Sequence, residues 1–138
     1  MRKIDNLVIH CTATVQTAKV ESIQRYWRDT LKWRSSGYHV IIEANGNIVR
    51  LAEDSAVCNG VAGHNSNSLH VSYIGGIDAK GKGLDNRTPQ QKVALWQVIK
   101  AWKQKYPNAK VLGHRDFPSV KKECPSFDAG KWWESLQN

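Results

Sequence analysis

The apolar residues of this chain come in short runs, too brief for helices and too continuous for loops. Leu7-Val8-Ile9-His10-Cys11, Tyr38-His39-Val40-Ile41-Ile42 and Leu69 to Ile74 are five or six residues long and rich in β-branched side chains. Such runs read as buried strands. In the first, alternation puts Leu7, Ile9 and Cys11 on one face and Val8, His10 and Thr12 on the other. Between the runs lie segments of helical period. Val20, Ile23, Trp27 and Leu31 predict a helix from Val20 to Leu31. The clearest helix begins at Thr88, an N-cap followed by Pro89, with Gln91 completing a capping box. Leu95, Ile99, Trp102 and Tyr106 share one of its faces, and Pro107 ends it.

Turn chemistry joins these pieces. Asn45-Gly46 predicts a two-residue hairpin turn into Ile48-Val49. Lys110-Val111-Leu112 reads as a short strand leading to Gly113-His114, and Asp128 caps a last short helix carrying Trp132 and Trp133. Ala56 to Ser68 and Asp78 to Arg87 are polar and read as loops. Trp27, Trp96 and Trp102 fall on helices and are expected in the core. Strands alternating with helices, plus one hairpin, predict an α/β fold: a central mixed β-sheet flanked by helices. With 138 residues there is enough chain for one core. A single domain over 1–138 is therefore expected.

The formal charge is +8, which favours encounter with polyanions. The cations are spread rather than gathered: Lys100, Lys103 and Lys105 on one helix, Arg25 and Arg28 on another, Lys80 and Lys82 in a loop. No run forms a basic arm, no nucleic-acid-binding motif is present, and no specific nucleic-acid partner is expected. No apolar stretch is long enough to span a membrane. The apolar stretch near the N-terminus is too short for a signal-peptide core, so synthesis in the cytoplasm without a signal peptide is expected. Three widely spaced cysteines, Cys11, Cys58 and Cys124, do not form a disulfide framework. Cys11 and Cys58 read as small buried hydrophobes.

Five histidines and three cysteines offer several metal sites, and strand geometry prunes them. His10 and Cys11 are strand neighbours and point apart, as do Tyr38 and His39. His114 follows a strand, and Cys124 lies ten residues on, in a loop bearing Pro118 and Pro125. Strand ends and the loops beside them are where α/β proteins keep their chemistry. His10, His114 and Cys124 thus make a possible ligand set, and two imidazoles with one thiolate leave a fourth zinc position open, as catalytic sites do. Pattern alone leaves this one possibility among several, since a strand-end histidine is more often structural.

Five ordered blocks carry a resemblance. They are Val8-Ile9-His10-Cys11-Thr12-Ala13-Thr14; Gly37-Tyr38-His39-Val40-Ile41-Ile42; Asn67-Ser68 before Ile74-Gly75-Gly76-Ile77-Asp78; Gly113-His114-Arg115-Asp116; and Lys122-Glu123-Cys124-Pro125-Ser126-Phe127-Asp128. Together they resemble the type 2 N-acetylmuramoyl-L-alanine amidases, in particular the phage endolysin branch, which is similar to the peptidoglycan recognition proteins of animals. The resemblance covers nearly the whole chain. It implies a zinc-dependent hydrolase that cleaves the amide between N-acetylmuramic acid and L-alanine in peptidoglycan. One Zn2+ per chain would be held by His10, His114 and Cys124, Tyr38 would be the active-site tyrosine and Lys122 the catalytic lysine. Zinc lowers the pKa of bound water to about 7, and a lysine can stabilise an oxyanion. His39, Asn65 and Asn67 are candidate substrate contacts, although Asn65 and Asn67 are equally ordinary turn residues. Peptidoglycan is the expected partner, with no membrane and a monomeric chain, acting on the cell wall after release or specialised export.

Departures from the family pattern fall beside these positions. Asn59-Gly60-Val61-Ala62 stands where relatives commonly place a His or aromatic residue, His70 where they usually have Gly, and His64 has no clear counterpart. The alternative function is a non-catalytic peptidoglycan-binding or recognition module. In the similar recognition family loss of the Cys ligand marks non-enzymatic members, and the presence of Cys124 favours the enzyme.

Overall fold

Strand β1 (Asn6–Cys11) lies inside a five-stranded sheet of order β3-β2-β4-β1-β5, the others being β2 (Val40–Ile42), β3 (Ile48–Arg50), β4 (Ser68–Tyr73) and β5 (Lys110–Gly113). The computed structural model describes residues 2–118 and 120–137. β1 is parallel to β4 and β5, β2 is parallel to β4, and only the β2–β3 pair is antiparallel. The sheet is thus mixed and flanked by helices, the architecture expected from the alternating pattern. Val8 pairs with His70, and His10 with Ser72. Partners in parallel strands point the same way, so these four share a face.

The opposite face carries Leu7, Ile9, Val40, Ile42, Leu69 and Val71, which form the main core with α2 (Pro89–Lys105) and α3 (Ala129–Ser135). Leu95, Ile99 and Trp102 of α2 are buried there. Full burial of each such aliphatic side chain contributes about 1.5–3 kcal/mol. On the first face α1 (Val20–Arg25) covers Ile41 and Ile74 with Val20 and Ile23, joined by Trp27 from the turn that follows, and Val61 and Phe117 cover Val8.

Helix α2 starts as its sequence dictates. Thr88 Oγ1 accepts the Gln91 N–H at 3.0 Å, and Gln91 Oε1 accepts the Thr88 N–H at 3.0 Å. Gln91 is fully buried, yet satisfied: its Nε2 donates to the carbonyls of Ile42 (3.2 Å) and Ile74 (3.0 Å). Asp128 likewise accepts the Lys131 N–H at the start of α3.

Three local expectations are corrected. The hairpin loop holds three residues, Ala44 to Gly46, because the Glu43 N–H already bonds the Asn47 carbonyl. Gly46 takes φ +89° at its end, which makes a type I turn with a bulge rather than a primed turn. The α-helix from Val20 stops at Arg25 and continues as a π-helical turn, Tyr26–Thr30. The Leu31 N–H reaches back to the Tyr26 carbonyl at 3.0 Å, and this wider turn swings Leu31 out to solvent. Trp96 is only half-buried, lying under the Lys100 ammonium at 4.6 Å.

Candidate metal centre and substrate groove

His10 is the penultimate residue of β1, and His114 opens a 3-10 turn (His114–Asp116) directly after β5. Since Ile9 pairs with Gly113, the next step along both strands brings the two histidines side by side, with ring centroids 4.8 Å apart. The chain then returns: the Arg115 N–H donates to the Cys124 carbonyl at 2.8 Å, and the Cys11 N–H donates to Cys124 Sγ at 3.1 Å. The donor atoms of His10, His114 and Cys124 all lie within 4.8 Å of one another, and His10 Nδ1 is 3.9 Å from Cys124 Sγ. The cluster sits at the carboxyl ends of adjacent parallel strands, where open α/β sheets bind ligands.

The protonation states of this set suit ligation. Burial first, then the charges of His70, His114 and Lys122, hold His10 well below the usual imidazole range. Burial and then Lys122 lower His114 to about 4. Both rings are therefore neutral at pH 7, the form that offers a lone pair. As bare thiols, Cys11 and Cys124 split: the hydrogen bond between them lowers Cys11 to about 7 and raises Cys124. Coordination deprotonates a thiol outright, and the Cys11 N–H already points at the Cys124 sulfur, so a bound cation puts the charge on Cys124. Two neutral imidazoles and a thiolate fit zinc.

Tyr38 and Lys122 stand beside the cluster. The Tyr38 ring lies 4.8 Å from that of His10, and its hydroxyl donates to the Cys11 carbonyl at 3.4 Å. Burial raises its pKa, so it remains a phenol. Lys122, His114 and Asn65 line one groove of about 710 Å³ with Trp33, Gly60 and His64.

The other two sequence candidates lie elsewhere. His39 is fully buried; its Nδ1 accepts the His70 N–H at 3.0 Å and its Nε2 faces the Ala56 carbonyl at 2.8 Å, which fixes the proton on Nε2. No polar atom of His39 is left for a substrate. Asn67 precedes β4 and donates to Asp5 Oδ2 at 3.1 Å, at the end of the sheet away from His10. Asn65 does line the groove, but its Oδ1 already serves the Val61 N–H (2.8 Å) and His70 Nε2 (2.9 Å). The residue missed as a site candidate is His70, whose Nδ1 lies 2.9 Å from His10 Nε2. The signal was available in its strand alternation, but only if β1 and β4 were known to be neighbours.

The burial of His39 carries a pH consequence. Burial lowers its pKa in the fold, whereas in the unfolded chain it titrates near about 6.5. The unfolded state thus binds more protons below that value, and stability rises with pH. The contribution is complete above about pH 6.5 and is lost as pH falls below it. Melting temperatures between pH 7.5 and 5 should show this decline. His39→Asn, which keeps an acceptor for the His70 N–H, should lessen the slope without abolishing it, because burial also lowers His10, His70 and His114.

Two nitrogens and a sulfur converge at strand ends, beside a tyrosine, a lysine and an open groove, in an arrangement compatible with a bound metal on an α/β scaffold. Residues 1–127 match the N-acetylmuramoyl-L-alanine amidase family, and the chain belongs to it. It is 37% identical over 134 residues to an endolysin of Klebsiella phage KP32, covering 96% of this chain and 87% of that one. The fold is similar to that of the Ph2119 endolysin from a Thermus scotoductus bacteriophage, with TM-score 0.81 and 23% identity over 97% of this chain and 85% of that chain. It is also similar to a structure of the peptidoglycan recognition proteins LCa and LCx bound to tracheal cytotoxin, with TM-score 0.79 and 20% identity over 95% of this chain and 81% of that chain.

Proposed function

We propose that this protein hydrolyses the amide between N-acetylmuramic acid and L-alanine in peptidoglycan, using one zinc ion held by His10, His114 and Cys124. The observation that carries the reading is the convergence of those three donors, within 4.8 Å of one another, beside an open groove. Family membership supports the reaction class. Held by these residues, a zinc ion would supply Lewis acidity for polarising a carbonyl and for activating water at neutral pH. The groove seats the stem peptide against His114 and Lys122. The Lys122 ammonium stabilises the oxyanion that develops on the attacked carbonyl. Tyr38, kept protonated by burial, offers its hydroxyl as a hydrogen-bond donor to the attacking water and relays that water's proton to the departing amine, so that it ends the step as the phenol it began as.

The nearby carboxylates support an amidase over a glycosidase. Glycoside cleavage normally uses two carboxyl groups flanking the bond. Here Asp116 Oδ2 accepts the Gly113 N–H at 2.8 Å, and Asp128 caps α3. Both serve the backbone. The protein acts as a monomer on the wall after release or specialised export. Among the described residues no helix is long and apolar enough to cross a membrane.

Digestion of purified peptidoglycan, read by mass spectrometry, tests the assignment. Stem peptides should appear with a free N-terminal L-alanine, and the glycan should gain no reducing ends. A chelator should stop the reaction and zinc should restore it. New reducing ends in place of free alanine amino groups would overturn the amidase reading.

A further inference from the structure

A chain of buried hydrogen bonds runs into the cluster from β4. Asn65 Oδ1 accepts the backbone N–H of Val61 and is therefore oriented as the oxygen. It faces His70 Nε2 at 2.9 Å, so that nitrogen carries the proton. His70 Nδ1 is then a bare acceptor, and it faces His10 Nε2 at 2.9 Å. His10 must therefore hold its proton on Nε2. Its lone pair is left on Nδ1, the nitrogen that faces Cys124 Sγ. Every hydrogen in this relay follows from one fixed end, the Val61 amide.

We infer that His70 is a positioning residue for the metal centre: through Asn65 it locks His10 in the Nε2–H tautomer and aims Nδ1 at the shared site. Ligating histidines generally need such an outer partner on their second nitrogen. The partner here is an imidazole on the same sheet face as its target, one strand away and two residues back in register. Room for it comes from Gly60. A Cβ built on Gly60 would stand 2.2 Å from His70 Nδ1 and 2.4 Å from its Cε1. The bare backbone at 60 and the imidazole at 70 are thus one device: the ring occupies the volume a side chain at 60 would fill. Both positions are where the sequence departs from the family pattern, and the structure makes the two departures a matched pair.

The inference rests on the reading of His10 as a metal ligand, but its first test does not. Nitrogen-15 NMR of histidine-labelled, metal-free protein at pH 7.5 should show His10 protonated on Nε2 with Nδ1 bare. A proton on Nδ1 would overturn the relay. Zinc affinity, measured by chelator competition, should fall about 10–100-fold in His70→Leu. In His70→Asn, whose Oδ1 replaces the Nδ1 acceptor, it should stay within about threefold of the parent by the same logic. Parental affinity in His70→Leu would also overturn the relay. Should that variant not fold, Gly60→Ala decides: it pushes the imidazole off His10, so an unchanged His10 tautomer and affinity there would count against the inference. Cys124→Ser run in parallel separates the two readings. Zinc retained in that control sinks the metal assignment, and the relay is then judged on the nitrogen spectrum alone.

Discussion

Cys124→Ser should yield a folded protein that retains no zinc and releases no stem peptides, if the proposed ligand set holds. The fold should survive because the main structural partner of the sulfur is the Cys11 N–H, which a serine oxygen also accepts. Removal of an outer-shell partner alone costs about 10–100-fold in metal affinity. Loss of the only thiolate donor should cost at least about as much as the upper end of that range, with activity following the metal. Elemental analysis after dialysis, beside a circular dichroism melt, reads both quantities. Full retention of zinc in a folded Cys124→Ser protein would remove Cys124 from the ligand set. His39→Asn, by contrast, should keep its metal, since His39 is bonded to Ala56 and His70 and not to the cluster.

Lys122→Ala separates chemistry from metal binding in the opposite direction. Lys122 is exposed on the loop before Cys124 and lowers the pKa of both His10 and His114. A cation that disfavours protonated imidazoles also disfavours a metal ion beside them. The alanine variant should therefore hold zinc at least as tightly as the parent. Yet kcat should drop by on the order of 100-fold, the usual cost of one oxyanion donor, with little change in KM. Lys122→Arg should recover part of the rate. Tyr38→Phe should behave similarly, keeping zinc and losing most of kcat. Parental turnover in both alanine and phenylalanine variants would show that these two side chains do not serve the reaction.

What could be read from the sequence depended on how local the determining contacts are. The start of α2 was legible in full, because a capping box is written within four residues, Thr88 to Gln91. The strands were legible from their apolar runs. The hairpin loop was misjudged by one residue because Asn45-Gly46 suits either a primed turn or the last positions of a bulged one. Pairing at Glu43 and Asn47 decides between them. The π-helical turn after Arg25 is set by where Trp27 and Leu31 end up, a tertiary matter. At the site, alternation correctly held Tyr38 and His39 apart, but it could not say which of the two would face the cluster. Tyr38 does, and His39 is spent on the backbone of its neighbours. His70 could not be recognised as a partner of His10 without the β1–β4 register. Two departures ten residues apart looked independent in one dimension and touch in three.

The spread of the three donors along the chain has a mechanical consequence. His10 and Cys124 are separated by 114 positions, so any ion they share is also a tether between the first strand and the last quarter of the protein. Closing so large a ring costs chain entropy that grows only with the logarithm of its length. An ion that binds the folded form alone shifts the unfolding equilibrium by mass action. The loop that carries Lys122 and Cys124 is then held at one end by the sheet and at the other by the ion. On the proposed mechanism, the element that carries Lys122 would be stiffened by the same ion that supplies the Lewis acid, so stripping the metal would loosen the hold on that lysine as well.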